Sequence, residues 1–228
     1  MRPKDAAESA VSARDAALRA MSVGMGMAVG VTGARAPRDA AREGRGAAVR
    51  AEHLAALADE LAERLALARA TVRLYDALLG RLGPAPRLPC GASRARVAQL
   101  REEEEAHVEL AREAIASLGG DPALVTLGAE LEVLLSHGLH EPLGPGRVEL
   151  VAHLRALVMA ELAGADGWVV LTTLARLLER EDLATRFERA YLRDRSHART
   201  VRRWAARARR EARAAAPRPR EAERHDGA

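Results

Sequence analysis

The chain has 228 residues, enough for one good-sized domain with tails, and its formal net charge of +4 is too small to call for a nucleic-acid partner by itself. Apolar residues make up 48% but aromatics only 2%, so the core is aliphatic and, with abundant Glu and Arg, favours helices over strands. The single cysteine, Cys90, excludes an internal disulfide and a cysteine-based zinc site, and no uninterrupted apolar run reaches the ~18 to 20 residues that span a bilayer.

Residues 1–45 read as a leader, with a short helical stretch near 4–20 followed by the glycine-rich "AMSVGMGMAVGVTGA" at 20–34. That segment and "ARA" at 34–36 have the look of a weak export signal. Acids upstream and Pro37 after the cleavage point argue against it, so a cytoplasmic location is the expectation and export the alternative. Four long helical patterns follow within 46–216. The first runs from about Ala47 to Leu82 and ends in the turn "GPAPRLPCGA". The second opens at Ser93, a good N-cap, and stops at Gly119-Gly120-Asp121-Pro122. The third spans about Arg147 to Leu178, and the fourth about Asp182 to Ala215. Residues 217–228 form a charged tail. The gap at 121–146 is long, with room for a short helix at "GAELEVLLSH". The expected fold is an all-α four-helix bundle, two helical hairpins joined by a long crossover.

Each helix carries an apolar seam at heptad-like spacing. In the first it reads Leu61, Leu65, Ala68, Val72, Tyr75, Leu79, Leu82. Five ionisable residues interrupt the seams of the other three: Glu104, His107, Glu161, Asp194 and His197. Glu104 belongs to a run of four glutamates. At about 100° per residue, a helix cannot put all four on one face, so Glu104 points inward while Glu102, Glu103 and Glu105 are expected in solvent. Burying an unpaired carboxylate costs several kcal/mol. Three carboxylates and two imidazoles at mid-bundle therefore need compensation, and a divalent cation supplies it. The donor types suit iron, manganese or zinc. Glu104 and His107 are three apart, as are Asp194 and His197, so each pair shares a helix face.

These stretches, "TVRLYDALLGRL", "REEEEAHVELAREAIASLGGDP", "AELAGADGW" and "FERAYLRDRSHARTVRRW", resemble the ferritin-like superfamily, in particular bacterial ferritin-like domain proteins akin to bacterioferritin and rubrerythrin. The resemblance covers about residues 47–210. It implies a di-iron carboxylate site in which the carboxylates of the two carboxylate-x-x-His motifs bridge the metals and each histidine takes one. Glutamates from the first and third helices complete such a site. Glu161 fits the third-helix role, but the matching first-helix position is Ala68, and Asp194 stands where glutamate is usual. The position served by Glu161 and His197 keeps its ligands, and the one served by His107 loses its terminal carboxylate. The resemblance thus implies two metals, whereas these residues point to one sound iron or manganese position per chain and one weak one, which Ala68→Glu is expected to strengthen.

The function expected on this basis is metal binding with weak oxidase or peroxide-handling chemistry. The alternative is a metal-free scaffold or interaction module that has lost the di-iron chemistry, its five polar residues forming a hydrogen-bond network. His137 and His140, also three apart, read as loop histidines before a second surface metal site. Tyr75, Trp168, Phe187 and Trp204 read as core anchors. The arginine-rich segment after Thr200 complements a helix C-terminus and is interleaved with glutamates, so it does not require nucleic acid. Nothing identifies assembly contacts, and a homo-oligomer stays open.

Overall fold

The computed structural model describes residues 37–82, 87–88, 90–123 and 147–214. Residues 1–36 of the expected leader, the helix at 128–137, the His137/His140 pair and the charged tail lie outside them, while residues 37–45, also expected in the leader, belong to the first helix. The described residues are all-α: α1 Pro37–Leu82, α2 Arg94–Ser117, α3 Arg147–Leu177 and α4 Glu181–Ala214, with one isolated bridge between Arg87 and Ser93 and no strand.

Local chemistry sets the helix ends. The Ser93 hydroxyl accepts from Arg96 N at 3.3 Å and caps α2. Gly119 takes φ +79, and Gly120 N donates back to Ile115 O at 3.0 Å, closing the helix. The turn after α3 has the same form, with Arg180 N donating to Ala175 O at 2.8 Å. There the left-handed residue is Glu179, φ 59, where glycine is usual. Only the start of α1 departs from expectation. It begins ten residues before Ala47, because Gly44 and Gly46 lower helix propensity by only about 1 kcal/mol each and proline suits a first helical turn.

The helices pair as two antiparallel hairpins. Arg94 Nη2 reaches Leu79 O across α1 and α2, and Arg176 pairs with Glu188 across α3 and α4. α1 also runs antiparallel to α3, since Arg50 meets Leu178 O at one end and His153 Nε2 meets Leu74 O at 2.8 Å toward the other. α2 runs antiparallel to α4, where Arg186 meets Glu113 and His197 meets Glu103. It follows that α2 and α3 are parallel, so α2 ends and α3 begins at opposite ends of the bundle. α3 is long and apolar enough over Glu149–Leu177 to cross a membrane by composition, but Leu154, Leu157, Glu161, Ala165 and Trp168 are buried within the bundle, as in a core helix.

The seams pack inward. On α1 the most buried line is Leu57, Leu61, Arg64, Ala68, Thr71, Tyr75, Leu78 and Leu82, an unbroken alternation of four- and three-residue steps. Two apolar clusters result. One gathers Leu61, Leu65, Ala111, Trp168, Leu171 and Phe187. The other gathers Tyr75, Leu78, Leu100, Leu157, Val201 and Trp204. Between them lies a layer of buried polar side chains.

Candidate metal centre

That layer holds all five residues singled out in the sequence. Glu104 and His107 come from adjacent turns of α2, Asp194 and His197 from adjacent turns of α4, and Glu161 from α3, and none is more than 1% exposed. Of the four consecutive glutamates, Glu104 is the buried one, and Glu102, Glu103 and Glu105 line the outside.

The charged residue that α1 contributes is an arginine. Arg64, 2% exposed, reaches into the layer and places Nη2 3.0 Å from Glu104 Oε1 and 3.0 Å from Asp194 Oδ2. Its guanidinium carbon lies 4.7 Å from the ring centroid of Trp168, a cation–π contact. Trp168 in turn meets the edge of His107 and stacks on Phe187. Ala68, one turn further along α1, is fully buried and offers no ligand.

The other contacts divide into two groups. His107 Nδ1 bonds Glu104 Oε2 at 3.2 Å and lies 3.0 Å from Asp194 Oδ1. Glu161 Oε1 accepts from the Tyr75 hydroxyl, while its Oε2 lies 3.3 Å from His197 Nδ1. The second nitrogen of His197, Nε2, bonds Glu103 Oε2 at 2.5 Å. Glu103 is still 28% exposed, and it lines a surface groove of about 540 Å³ with Arg96, Gln99 and Arg193. One expectation needs correction here and another is extended. Glu103 faces solvent but turns its carboxylate back to the buried imidazole, and Tyr75 is both a core anchor and a hydrogen-bond donor to the site.

Electrostatics follow from this geometry. Burial alone raises a carboxyl, but Arg64 and His107 overcome it at Glu104 and hold it down to about 2. At Glu161, burial together with repulsion from Glu104 and Asp194 outweighs the opposing pull of His197 and lifts it to about 7. Burial opposes charge on His107, yet Glu104 and Asp194 push it up to about 9. Burial and Glu161 raise Tyr75 well above the ordinary phenol range and keep it a donor. Arg64 carries a permanent charge. Three buried carboxylates against one guanidinium leave two negative charges when both imidazoles are neutral. One divalent cation cancels them, and so do two protonated imidazoles.

Glu104, Glu161, Asp194 and His197 each offer a donor atom, and the four lie within 4.8 Å of one another. Metal–ligand bonds of about 2.0–2.2 Å put opposite ligand atoms some 4 to 4.5 Å apart, so small side-chain adjustments close the gap. Three atoms of these residues also lack a hydrogen bond. Glu161 Oε2, Asp194 Oδ1 and His197 Nδ1 are buried at ion-pair distance from neighbours but make no hydrogen bond. Buried polar atoms are normally hydrogen-bonded, so three such atoms on residues of one converging group suit a cation. His107 is the exception among the expected ligands. It touches Glu104 and Asp194 but stands outside the converging set.

Scans against protein-family models, curated proteins and solved structures give no match to the chain.

Proposed function

We propose that this protein is a ferritin-like metal-binding bundle that holds one divalent ion, iron or manganese, at Glu104, Glu161, Asp194 and His197. The observation that carries the reading is the convergence of four buried residues, Glu104, Glu161, Asp194 and His197, whose donor atoms lie within 4.8 Å of one another, with Glu161 Oε2, Asp194 Oδ1 and His197 Nδ1 left without a hydrogen bond. Three carboxylates and one imidazole form an oxygen-rich set, which favours iron or manganese over softer-ligand metals. The two antiparallel hairpins, with α2 parallel to α3, support the ferritin-like reading of the bundle.

An ion held there supplies one-electron redox capacity, which fits weak oxidase or peroxide-handling chemistry. The chain's own residues have separable tasks. The carboxylates hold the charge, Tyr75 fixes one oxygen of Glu161, and Glu103 fixes the ring of His197. The apolar clusters on both sides exclude water from the layer.

The test is elemental analysis of protein purified without chelator, together with melting curves with and without EDTA. The expected result is about one ion per chain. An ion present at 100 times its Kd stabilises the native state by ~2.7 kcal/mol, a shift of roughly 5 to 11 °C for a protein of this size. A Glu161→Ala, His197→Ala variant should lose both the ion and the shift. Absence of metal, with no EDTA effect, overturns the reading. It would favour a metal-free scaffold, for which the paired contacts of Arg64 are the supporting observation.

A further inference from the structure

The ferritin-like resemblance implies two cations, whereas the donor set converges on one point. We infer that Arg64 is the second cation of this centre, a guanidinium built into the bundle in the place of a second metal, and that it limits the site to one ion. The inference rests on the reading of the layer as a metal centre.

The contacts of Arg64 carry it. A single nitrogen, Nη2, stands 3.0 Å from Glu104 and 3.0 Å from Asp194, so one positive group bridges the carboxylates of the two carboxylate-x-x-His motifs. The charge enters from α1 one turn before Ala68, on the same face and on the side of the centre that lacks a carboxylate ligand. His107 contacts both of those carboxylates but offers no donor to the converging set.

α3 is shaped to receive the guanidinium. A Cβ on Gly164 would stand 2.7 Å from Asp194 Oδ2 and 3.0 Å from Arg64 Nη2. A Cβ on Gly167 would stand 3.6 Å from Arg64 Cδ and 3.1 Å from Glu60 Oε1. Trp168, the next residue, puts its ring against the guanidinium. Two glycines and an indole within five residues thus form a cradle around the Arg64 side chain and the Asp194 oxygen it pairs with.

Charge then fixes the stoichiometry. With Arg64 present, three carboxylates are neutralised by one divalent ion, and a second ion would leave two excess positive charges in a dry layer. Arginine does not deprotonate in proteins, so this group cannot yield its charge to an incoming metal as a histidine can. Ala68→Glu alone therefore adds no second position, contrary to what the sequence leads one to expect. It places a carboxylate one turn from a fixed guanidinium that pairs with it.

Manganese(II) stoichiometry tests this, measured by equilibrium titration and by elemental analysis after desalting, with circular dichroism to verify folding. The wild type and Ala68→Glu should each hold one ion per chain. Arg64→Met with Ala68→Glu has four carboxylates and no guanidinium, and should hold two. Two ions in the wild type or in Ala68→Glu overturn the inference, as does one ion in the folded double variant. If the double variant does not fold even with manganese(II), the first two proteins decide the matter: one ion in each supports the inference. Absence of bound metal in the wild type defeats the metal-centre reading and this inference with it, whereas one ion in a folded double variant defeats this inference alone.

Discussion

His197 Nε2 lies 2.5 Å from Glu103 Oε2, and that contact decides which imidazole nitrogen faces the buried carboxylates. The carboxylate accepts from Nε2–H, and Nδ1 faces Glu161 Oε2, 3.3 Å away, as the nitrogen left to meet a metal; without one, burial is overcome by Glu161 and Glu103, which favour the protonated ring. A carboxylate behind a metal-binding imidazole fixes ring orientation and tautomer, and losing it typically weakens metal affinity 10- to 100-fold. Glu103→Ala should therefore raise the Kd for manganese(II) by about that factor, and Glu103→Gln should lie between the two. Calorimetric titration checks it. An unchanged Kd in the alanine variant would mean that His197 is not held for a metal.

Tyr75 gives a second prediction, on stability. Its hydroxyl donates to Glu161 Oε1 in a layer closed to water, so Tyr75→Phe leaves a buried carboxylate oxygen without its partner. Such a loss costs about 1 to 3 kcal/mol, roughly 2 to 12 °C in Tm for a chain of this length. The metal-free protein in EDTA is the sample to melt. A Tm within 1 °C or so of wild type would place the hydroxyl contact outside the stabilising network.

Glu179 marks a local inefficiency. Its φ of 59 puts a side chain in the left-handed region at the end of α3, where glycine has no Cβ penalty. The only ion pair in which it takes part among the described residues, with Arg50 at 3.9 Å, is highly exposed and contributes little. Glu179→Gly should stabilise the protein by about 1 kcal/mol, or roughly 2 to 4 °C. Thermal melting with metal stoichiometry unchanged is the expected pair of results. A lower Tm would show that the α3–α4 turn needs the glutamate.

The parts of this architecture that were legible in the sequence are those whose signals are local. Ser93, Gly119-Gly120 and the apolar periods fix the bounds of α2 to within a residue or two. Glu104, His107, Glu161, Asp194 and His197 stand out because each interrupts a seam that otherwise reads apolar, and all are buried. Arg64 was concealed by its chemistry. A long aliphatic stem with a charged end reads as an amphipathic surface residue, and on α1 the apolar period alone follows 61, 65, 68, 72. The alternation 57, 61, 64, 68, 71, 75, 78, 82 contains Arg64 and is the more deeply buried line. Glu103 was concealed for a different reason. It is one residue off the seam, and only the side on which α4 packs against α2 brings it to His197.

The glycine cradle gives the last prediction, a matched pair of substitutions. Glycine to alanine inside a helix normally gains roughly 0.5 to 1 kcal/mol through lower backbone entropy in the unfolded chain. Gly80, in the last turn of α1, has nothing within 4 Å of an added Cβ, so Gly80→Ala should show that gain, a rise of about 1 to 4 °C. Gly164 has the same intrinsic preference but a different surrounding. Its added methyl meets Asp194 Oδ2 at 2.7 Å and Arg64 Nη2 at 3.0 Å, and these two atoms are held to each other by a buried ion pair. Neither can retreat without stretching that pair, and breaking a buried pair costs about 3 to 5 kcal/mol. The clash should outweigh helix propensity, so Gly164→Ala should lower Tm while Gly80→Ala raises it. Opposite signs from one chemical change separate the cradle from general helix energetics. Equal gains at both positions would mean that the guanidinium moves freely and that α3 is not shaped around it.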